Sequence, residues 1–535
     1  MHSVTTSSSP DIRSYPPRAV TPVRVSGAGP RSASLAVRLA AGLGGMIAIL
    51  AYLFVALRRL DYPFALEWLE GNSLAEVHRV LAGQNLYPAP TAGYVPDGYP
   101  PLYFAVSAAA ARVLGPSYLT LRLVSLVSSL ACFALLGRLV QRETASIAAG
   151  TAAAGLLAAT YSVTDTWFDV ARVDSLFLAL SIGALYSARY MRGTGGAVTA
   201  GVLLAAAALT KQTGLAECAA VTAVLLAGPR RRLGWVAALA EVVVLGVSTL
   251  VLALASGGWY LFYVYLLMSE HPLTGSGFGS FWTTLATALG LAAAAAVLAA
   301  RRAPPVLLAG CAALAVEGYA ALVHSGGGFN DLLPAYLAVA LLAGLALGSG
   351  QAWRGAAAGV LVLAQTALLL SSLHPARVIP SAADRSVGQR LVDGIRALGG
   401  TVAVPTDPGL SLLAGQSPVA HQDAAYDVLR ATNQAAIASF KRSVSAAIAA
   451  QRFSAIITDF PGSPLGYRPA LDRYYQRCPQ PLLAGVPAAV FEPVAGIAGR
   501  PAFVWVPRGS GACPAAVRAL TGTAASPSAS QAVRS

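Results

Sequence analysis

Three glutamates and a histidine crowd one short stretch: Glu67, Glu70, Glu76 and His78 lie in FALEWLEGNSLAEVHRVLAGQNLYPAP, Phe64 to Pro90. Carboxylates this dense can serve as proton acceptors for a hydroxyl nucleophile. A second stretch, YSVTDTWFDVARVDSLFLAL, sets Asp165, Asp169 and Asp174 around Arg172. Lys211 sits in LTKQTGL, Glu270 and His271 in MSEHP, and His324, Asn330 and Asp331 in VHSGGGFNDLLPAY, while Arg122 opens an apolar run. Carboxylates beside cations are what an acid/base step and a phosphate clamp need. Each residue also has a plainer reading. Asp174 begins a helical run, where an acid caps favourably, and a lone histidine at an interface is more often structural than functional.

The elements that must position these groups are apolar. The chain has 535 residues, 56% of them hydrophobic and only 11% charged, with a mean hydropathy of +0.61. Apolar runs near the twenty residues needed to cross a bilayer mark a polytopic membrane protein. Eleven such stretches are predicted, at about 36–57, 119–138, 145–163, 173–190, 196–210, 212–228, 233–256, 281–300, 305–323, 332–349 and 355–373. With the N-terminus cytoplasmic, Arg138, Arg142, Arg189, Arg192, Arg230–Arg232, Arg301, Arg302 and Arg354 all fall on the inner side, as topology bias requires. Arg58 and Arg59 are exceptions. The net charge of +14 therefore reads as topology rather than nucleic-acid binding. The expected location is the inner or plasma membrane, multi-pass, with the acidic stretches facing out.

The first outer loop spans 58–118. Within it Leu66, Leu69, Ser73, Leu74, Val77, Val80 and Leu81 repeat at helical spacing, predicting a helix lying at the interface. Glu67 and Glu70 share another face, and Glu76 reads as a solvent contact. Gly71 lets a ligand or another backbone come close. The glutamates read either as a solvated polar face or as functional groups. GYVPDGYPPLYF, Gly93–Phe104, is stiffened by its prolines. Its tyrosines, Tyr99 among them, suit the headgroup level, as a simple anchor or as the rim of a cavity.

Residues 374–517 change character. DRSVGQRLVDGIRALG and residues 432–450 read as helices, and TVAVP and FSAIITDF as strands. This predicts a small extracytoplasmic α/β domain, with AGVPAAVFEP as an edge hairpin. Of five cysteines, Cys132, Cys218 and Cys311 lie in apolar runs, whereas Cys478 and Cys513 could pair if that region is outside. Residues 1–35 and 518–535 read as disordered tails, the first cytoplasmic.

LEGNSLAEVHRVLAGQNLY…YPPLYF, LRLVSL, ARVDSLFLAL, LTKQTGL and NDLLPAYLAVALL resemble, in order and spacing over about 60–375, the GT-C type glycosyltransferases. The similarity is to the bacterial branch related to protein O-mannosyltransferases and the lipid A aminoarabinose transferase. The resemblance implies a polyprenyl-phosphate-linked sugar donor, an unidentified hydroxyl acceptor, inversion at the anomeric carbon, and an acid in the first outer loop as base. The family's acid stands about a dozen residues before the Gly of an aGxxxY turn, here Gly83–Tyr87, which implies Glu70, with Glu67 in reserve. Relatives carry an Asp-Glu pair where this chain has Leu69-Glu70, and Lys-Pro-Pro where it has Tyr99-Pro100-Pro101. Donor phosphate would then fall to Lys211, Arg122 or Arg172, beside Tyr99. Asp174 matches a second acidic position, structural or metal-related, so Mg or Mn is an admissible cofactor. No GxGxxG after a strand and no GK[ST] loop occurs, so no nucleotide cofactor is expected. Two other readings stand beside the enzyme: a transporter or flippase of lipid-linked glycans, and a non-catalytic envelope-assembly protein.

Overall fold

Hydrocarbon leaves no solvent for backbone polar groups, so an apolar run must close its hydrogen bonds within itself. A helix occupies each apolar stretch, from Pro30–Arg59 and Tyr118–Thr144 to Leu333–Leu347 and Ala352–Ser372. The computed structural model describes residues 30–460 and 468–522. The two tail segments 1–29 and 523–535 lie outside the described residues. Among the described residues seven helices are long and apolar enough to cross a membrane. Their outward faces are apolar: Leu39, Leu43, Leu50 and Phe54 on one helix, and Leu239, Val243, Val247 and Leu250 on Arg231–Ala255, are all exposed. Such stripes suit lipid rather than water. The chain breaks at TKQTG as the sequence predicts, between Gly193–Ala208 and Leu215–Ala227.

Several expectations are corrected. The Glu70–Leu81 helix is not interfacial: Glu70 to Val77 are all buried, because the C-terminal region packs over it. Glu76 is 0% exposed and is no solvent contact. The first outer segment holds a second helix, Leu102–Leu114, and Trp259–Ser269 adds an unforeseen helical stretch with a π-helical centre, Phe262–Leu266. The helix Cys513–Thr521 runs past residue 518, and Pro30–Arg59 starts before residue 36. Arg59, an exception to the charge rule, is buried and gives two N–H groups to Asp169, at 2.8 and 2.5 Å. A paired charge of this kind carries no topological vote.

Among the described residues of 382–460 and 468–522, four strands form a mixed sheet ordered β1 (Val402–Ala403), β2 (Ala455–Thr458), β4 (Phe503–Pro507), β3 (Tyr475–Arg477). β1 and β2 are parallel, with Val402 opposite Ala455; β4 runs antiparallel to both β2 and β3. The helices Ala382–Leu398 and Gln434–Ala449 fall where the sequence places them. Ser381 accepts the Asp384 N–H and caps the first of these. AGVPAAVFEP forms turns, not an edge hairpin; β3 takes the edge. The sheet region docks on the first outer segment. Val494 N–H donates to the Leu66 carbonyl at 2.9 Å. At Gly71 a Cβ would meet Asp407 Oδ1 at 2.3 Å and Gly409 N at 2.9 Å, so what this glycine admits is the Asp407 carboxylate and the Gly409 backbone.

Cys478 and Cys513 form a disulfide with Cα atoms 5.4 Å apart. Thiol labelling of the folded protein is expected to modify neither residue until reductant is added; two reactive thiols without reductant would contradict the bond. Replacing Asp169 by Ala strands the buried Arg59 charge, a loss of roughly 3–5 kcal/mol, read as a lower unfolding midpoint in detergent.

Candidate active site

A cavity of about 790 Å³ opens between the helix ends and the sheet region, within the usual range for a ligand site. Arg172, Lys211, Tyr99, Asp165, His271, His324 and Asn330 all line it. Glu67, Glu70, Arg122, Asp169, Asp174 and His78 do not.

Arg172 is the centre of its polar wall. It is 3% exposed. Nη1 donates to Asp97 Oδ2 at 3.3 Å and Nη2 to the Tyr99 hydroxyl at 3.2 Å. Nε lies 3.7 Å from Glu67 Oε2. The guanidinium also sits over the Tyr99 ring, 5.2 Å from its centroid. Lys211 occupies the helix break. Its ammonium donates to Asp174 Oδ1 at 2.9 Å and Asp331 Oδ1 at 3.0 Å, which leaves one of its three N–H groups for the cavity.

Glu70 is committed elsewhere. Its oxygens accept from Arg122 Nε at 3.0 Å and Nη2 at 2.6 Å, from Leu66 N at 2.6 Å and from Ala171 N at 2.6 Å. Burial alone would raise this carboxyl, but Arg122 and the amide donors outweigh it and hold it below its ordinary value. Arg122 further donates to the carbonyls of Tyr62 and Phe64, so four of its five N–H groups are already taken. Glu67 differs. Its Oε1 is buried without a hydrogen-bond partner. Burial raises this carboxyl well above the usual range, against the pull of Arg172. Gly496 lines the cavity next to it, and a Cβ there would stand 2.9 Å from Oε1.

The three aspartates of the second stretch do not form one site. Asp169 pairs with Arg59, and Asp174 takes Lys211 and the Trp167 indole N–H. Asp165 Oδ2 accepts Gly496 N–H at 2.6 Å. Among the described residues no three His, Cys, Asp or Glu side chains are placed to hold one metal ion; the carboxylates here are taken up by Arg172, Lys211 and backbone amides. His78 is half-buried on the far turn of its helix. His271 lies 3.5 Å from Asp427, and burial together with Arg430 pushes it down to about 4.

Sequence reasoning passed over Asp97, Asp423, Asp427 and Arg430, all of which line the cavity. Asp97 had a signal, an acid fixed between Pro96 and Pro100. Its Oδ1 accepts from Asn72 at 2.6 Å, and its N–H donates to Glu76 Oε1 at 2.7 Å. Burial raises both carboxyls, and the Asp97 charge raises Glu76 further. The other three come from the helix Gln422–Arg430, whose placement over the cavity no local pattern announces.

No protein-family model matches this chain, and no curated protein matches it in sequence. Solved structures do. ArnT from Cupriavidus metallidurans bound to undecaprenyl phosphate aligns with a TM-score of 0.54 at 13% identity, over 77% of this chain and 92% of that one. Its apo state gives 0.54 at 13% identity, over 77% and 91%. An oligosaccharyltransferase from Archaeoglobus fulgidus, AglB in complex with an inhibitory peptide and a dolichol-phosphate, reaches only 0.48 at 13% identity, over 83% and 73%, too low to carry an argument. The chain has a GT-C type membrane fold, the one its sequence motifs implied.

Proposed function

We propose that this protein is an integral-membrane glycosyltransferase that moves a sugar from a polyprenyl-phosphate donor to a hydroxyl acceptor on the extracytoplasmic face. The observation that carries the reading is one cavity walled by Arg172 and Lys211, with Glu67 and Asp97 flanking the guanidinium. The GT-C fold supports it. So does the disulfide, which favours an oxidising compartment for residues 478–513.

In this mechanism Arg172 and the free N–H of Lys211 bind the donor phosphate. The tyrosine that replaces the relatives' lysine, Tyr99, orients Arg172 by hydrogen bond and ring contact. The acceptor oxygen attacks the anomeric carbon as the bond to phosphate breaks, with inversion. The proton passes to a carboxylate, and the two cations take up the charge on the departing phosphate. We assign the base to Glu67 rather than Glu70. A base needs an oxygen with a lone pair not already committed to other donors. Glu67 Oε1 has no partner, whereas Glu70 accepts four hydrogen bonds. Asp97 holds the other side of Arg172.

Paired substitutions test the assignment. Glu67→Gln is expected to lower transfer from a polyprenyl-phospho-sugar by ~10²–10⁴ fold, the usual worth of a general base. Glu70→Gln should act on stability, since it leaves Arg122 buried without its counter-charge at a cost on the order of 3 kcal/mol, seen as a lower unfolding midpoint. A larger loss of transfer in Asp97→Asn than in Glu67→Gln would move the base to Asp97, and undiminished transfer in both would remove the carboxylate mechanism. Because burial raises the Glu67 carboxyl, the proton-accepting form is favoured as pH rises. The rate should therefore climb with pH on a limb above the ordinary carboxylate range. A profile flat from pH 5 to 8, about the range where an ordinary carboxylate is already ionised, would argue against Glu67.

A further inference from the structure

A second, smaller crevice lies where the sheet meets the first outer segment. Asp407 and Asp459 follow the carboxyl ends of the parallel strands β1 and β2. That edge is where open α/β sheets place ligands. The crevice holds about 140 Å³, well below the ~300 Å³ at which drug-sized sites begin, so it suits one small ring and not a lipid chain. Tyr62, Trp68, Phe460 and Phe491 supply aromatic walls, Asp407 and Asp459 supply carboxylates, and none of its described lining residues is basic.

The polar groups are half-used. Asp459 Oδ1 accepts from the Thr406 hydroxyl at 2.7 Å and Asp407 Oδ1 from Gly409 N at 3.0 Å. The buried Gln422 amide oxygen has no hydrogen-bond partner among the described residues. Burial pushes the Asp407 carboxyl up to about 7 and Asp459 up to about 6, the charge of Asp459 adding to the first. Near neutral pH such groups both give and accept hydrogen bonds. An anionic ligand would meet Asp407, Asp459 and Glu492 with no cation among the described lining residues to offset them. A neutral polyol meets acceptors for its hydroxyls and apolar ring faces for its C–H groups.

We propose that this crevice is an acceptor subsite that holds one neutral sugar ring of a glycan, making the acceptor a carbohydrate hydroxyl. Trp68 and Ile497 border both this crevice and the large cavity. A ring seated against Trp68 therefore directs the neighbouring unit of its chain toward Arg172. The proposal rests on the glycosyl-transfer reading and narrows it.

The test uses the full chain in nanodiscs with no donor present, titrated with neutral methyl pyranosides and furanosides and followed by saturation-transfer NMR. Binding in the millimolar range is expected, weakened about tenfold or more by Asp459→Asn and by Phe460→Ala, a tenfold change being ~1.4 kcal/mol. Unfolding midpoints of both variants exclude a folding defect, and either variant alone suffices if the other fails to fold. No glycoside binding, equal binding by well-folded variants, or displacement of the glycoside by calcium alone overturns the subsite. These outcomes are separate from those for the activity. Glycoside binding without transfer from any polyprenyl-phospho-sugar supports the subsite and removes the glycosyl-transfer reading, whereas transfer without glycoside binding removes only the subsite.

Discussion

A guanidinium buried at the end of a membrane helix must be neutralised where it stands, and Glu70 neutralises Arg122. Both side chains are fully buried, and the closest N–O approach is 2.6 Å. An unpaired charge there would cost several kcal/mol, so the partner cannot drift. The clamp also gathers backbone. Arg122 takes the carbonyls of Tyr62 and Phe64, while Glu70 takes the amides of Leu66 and Ala171. Ala171 directly precedes Arg172. One ion pair thus sets the start of the first outer helix and the position of the cavity's central cation. The carboxylate that makes this possible is spent in doing so.

The same rule of paired charge sorts the remaining outer groups. Arg59 and Asp169 satisfy each other within the protein, and the Tyr161 hydroxyl adds a bond at 2.8 Å to Asp169. Lys211 divides its hydrogen bonds between Asp174 and Asp331 and keeps one N–H. Arg172 is shared by Glu67 and Asp97. The remainder after pairing is one N–H on Lys211, the cavity side of Arg172 and Oε1 of Glu67. The absence of a side chain at Gly496 keeps that oxygen beside the cavity wall.

The sheet region completes the enclosure of the cavity. It closes over the first outer helix at Gly71, holds the Leu66 carbonyl through Val494 and Ala495, and sends Asp423, Asp427 and Arg430 to the cavity. His421 fixes the same joint: its Nε2 is 3.2 Å from the carbonyls of both Trp68 and Thr406. Burial first, with only partial relief from these carbonyls, lowers the ring to about 4, so it bonds as a neutral imidazole. This face is therefore built jointly by segments more than three hundred residues apart in sequence.

The amino-acid sequence alone determined the apolar helices, their breaks and the helix-strand alternation after residue 374, because these follow from local periodicity and from the demand that hydrocarbon makes on backbone groups. It also marked the acidic stretches, since charge beside a membrane span is rare. Motif spacing carried the fold. It ranked Glu70 above Glu67, but it carries nothing of what lies across from them: Arg122 is 52 residues from Glu70 in sequence, and Gly496 is farther still from Glu67. The reading of Glu76 as exposed failed for the same reason, as burial there comes from a region the helix's own pattern does not encode. Tertiary structure alone decided which cations stay open, that Asp97 joins them, and that the carboxyl ends of β1 and β2 face Trp68. Periodicity reports which face of an element is apolar, but the partner of a buried charge is set by whatever the fold brings opposite it.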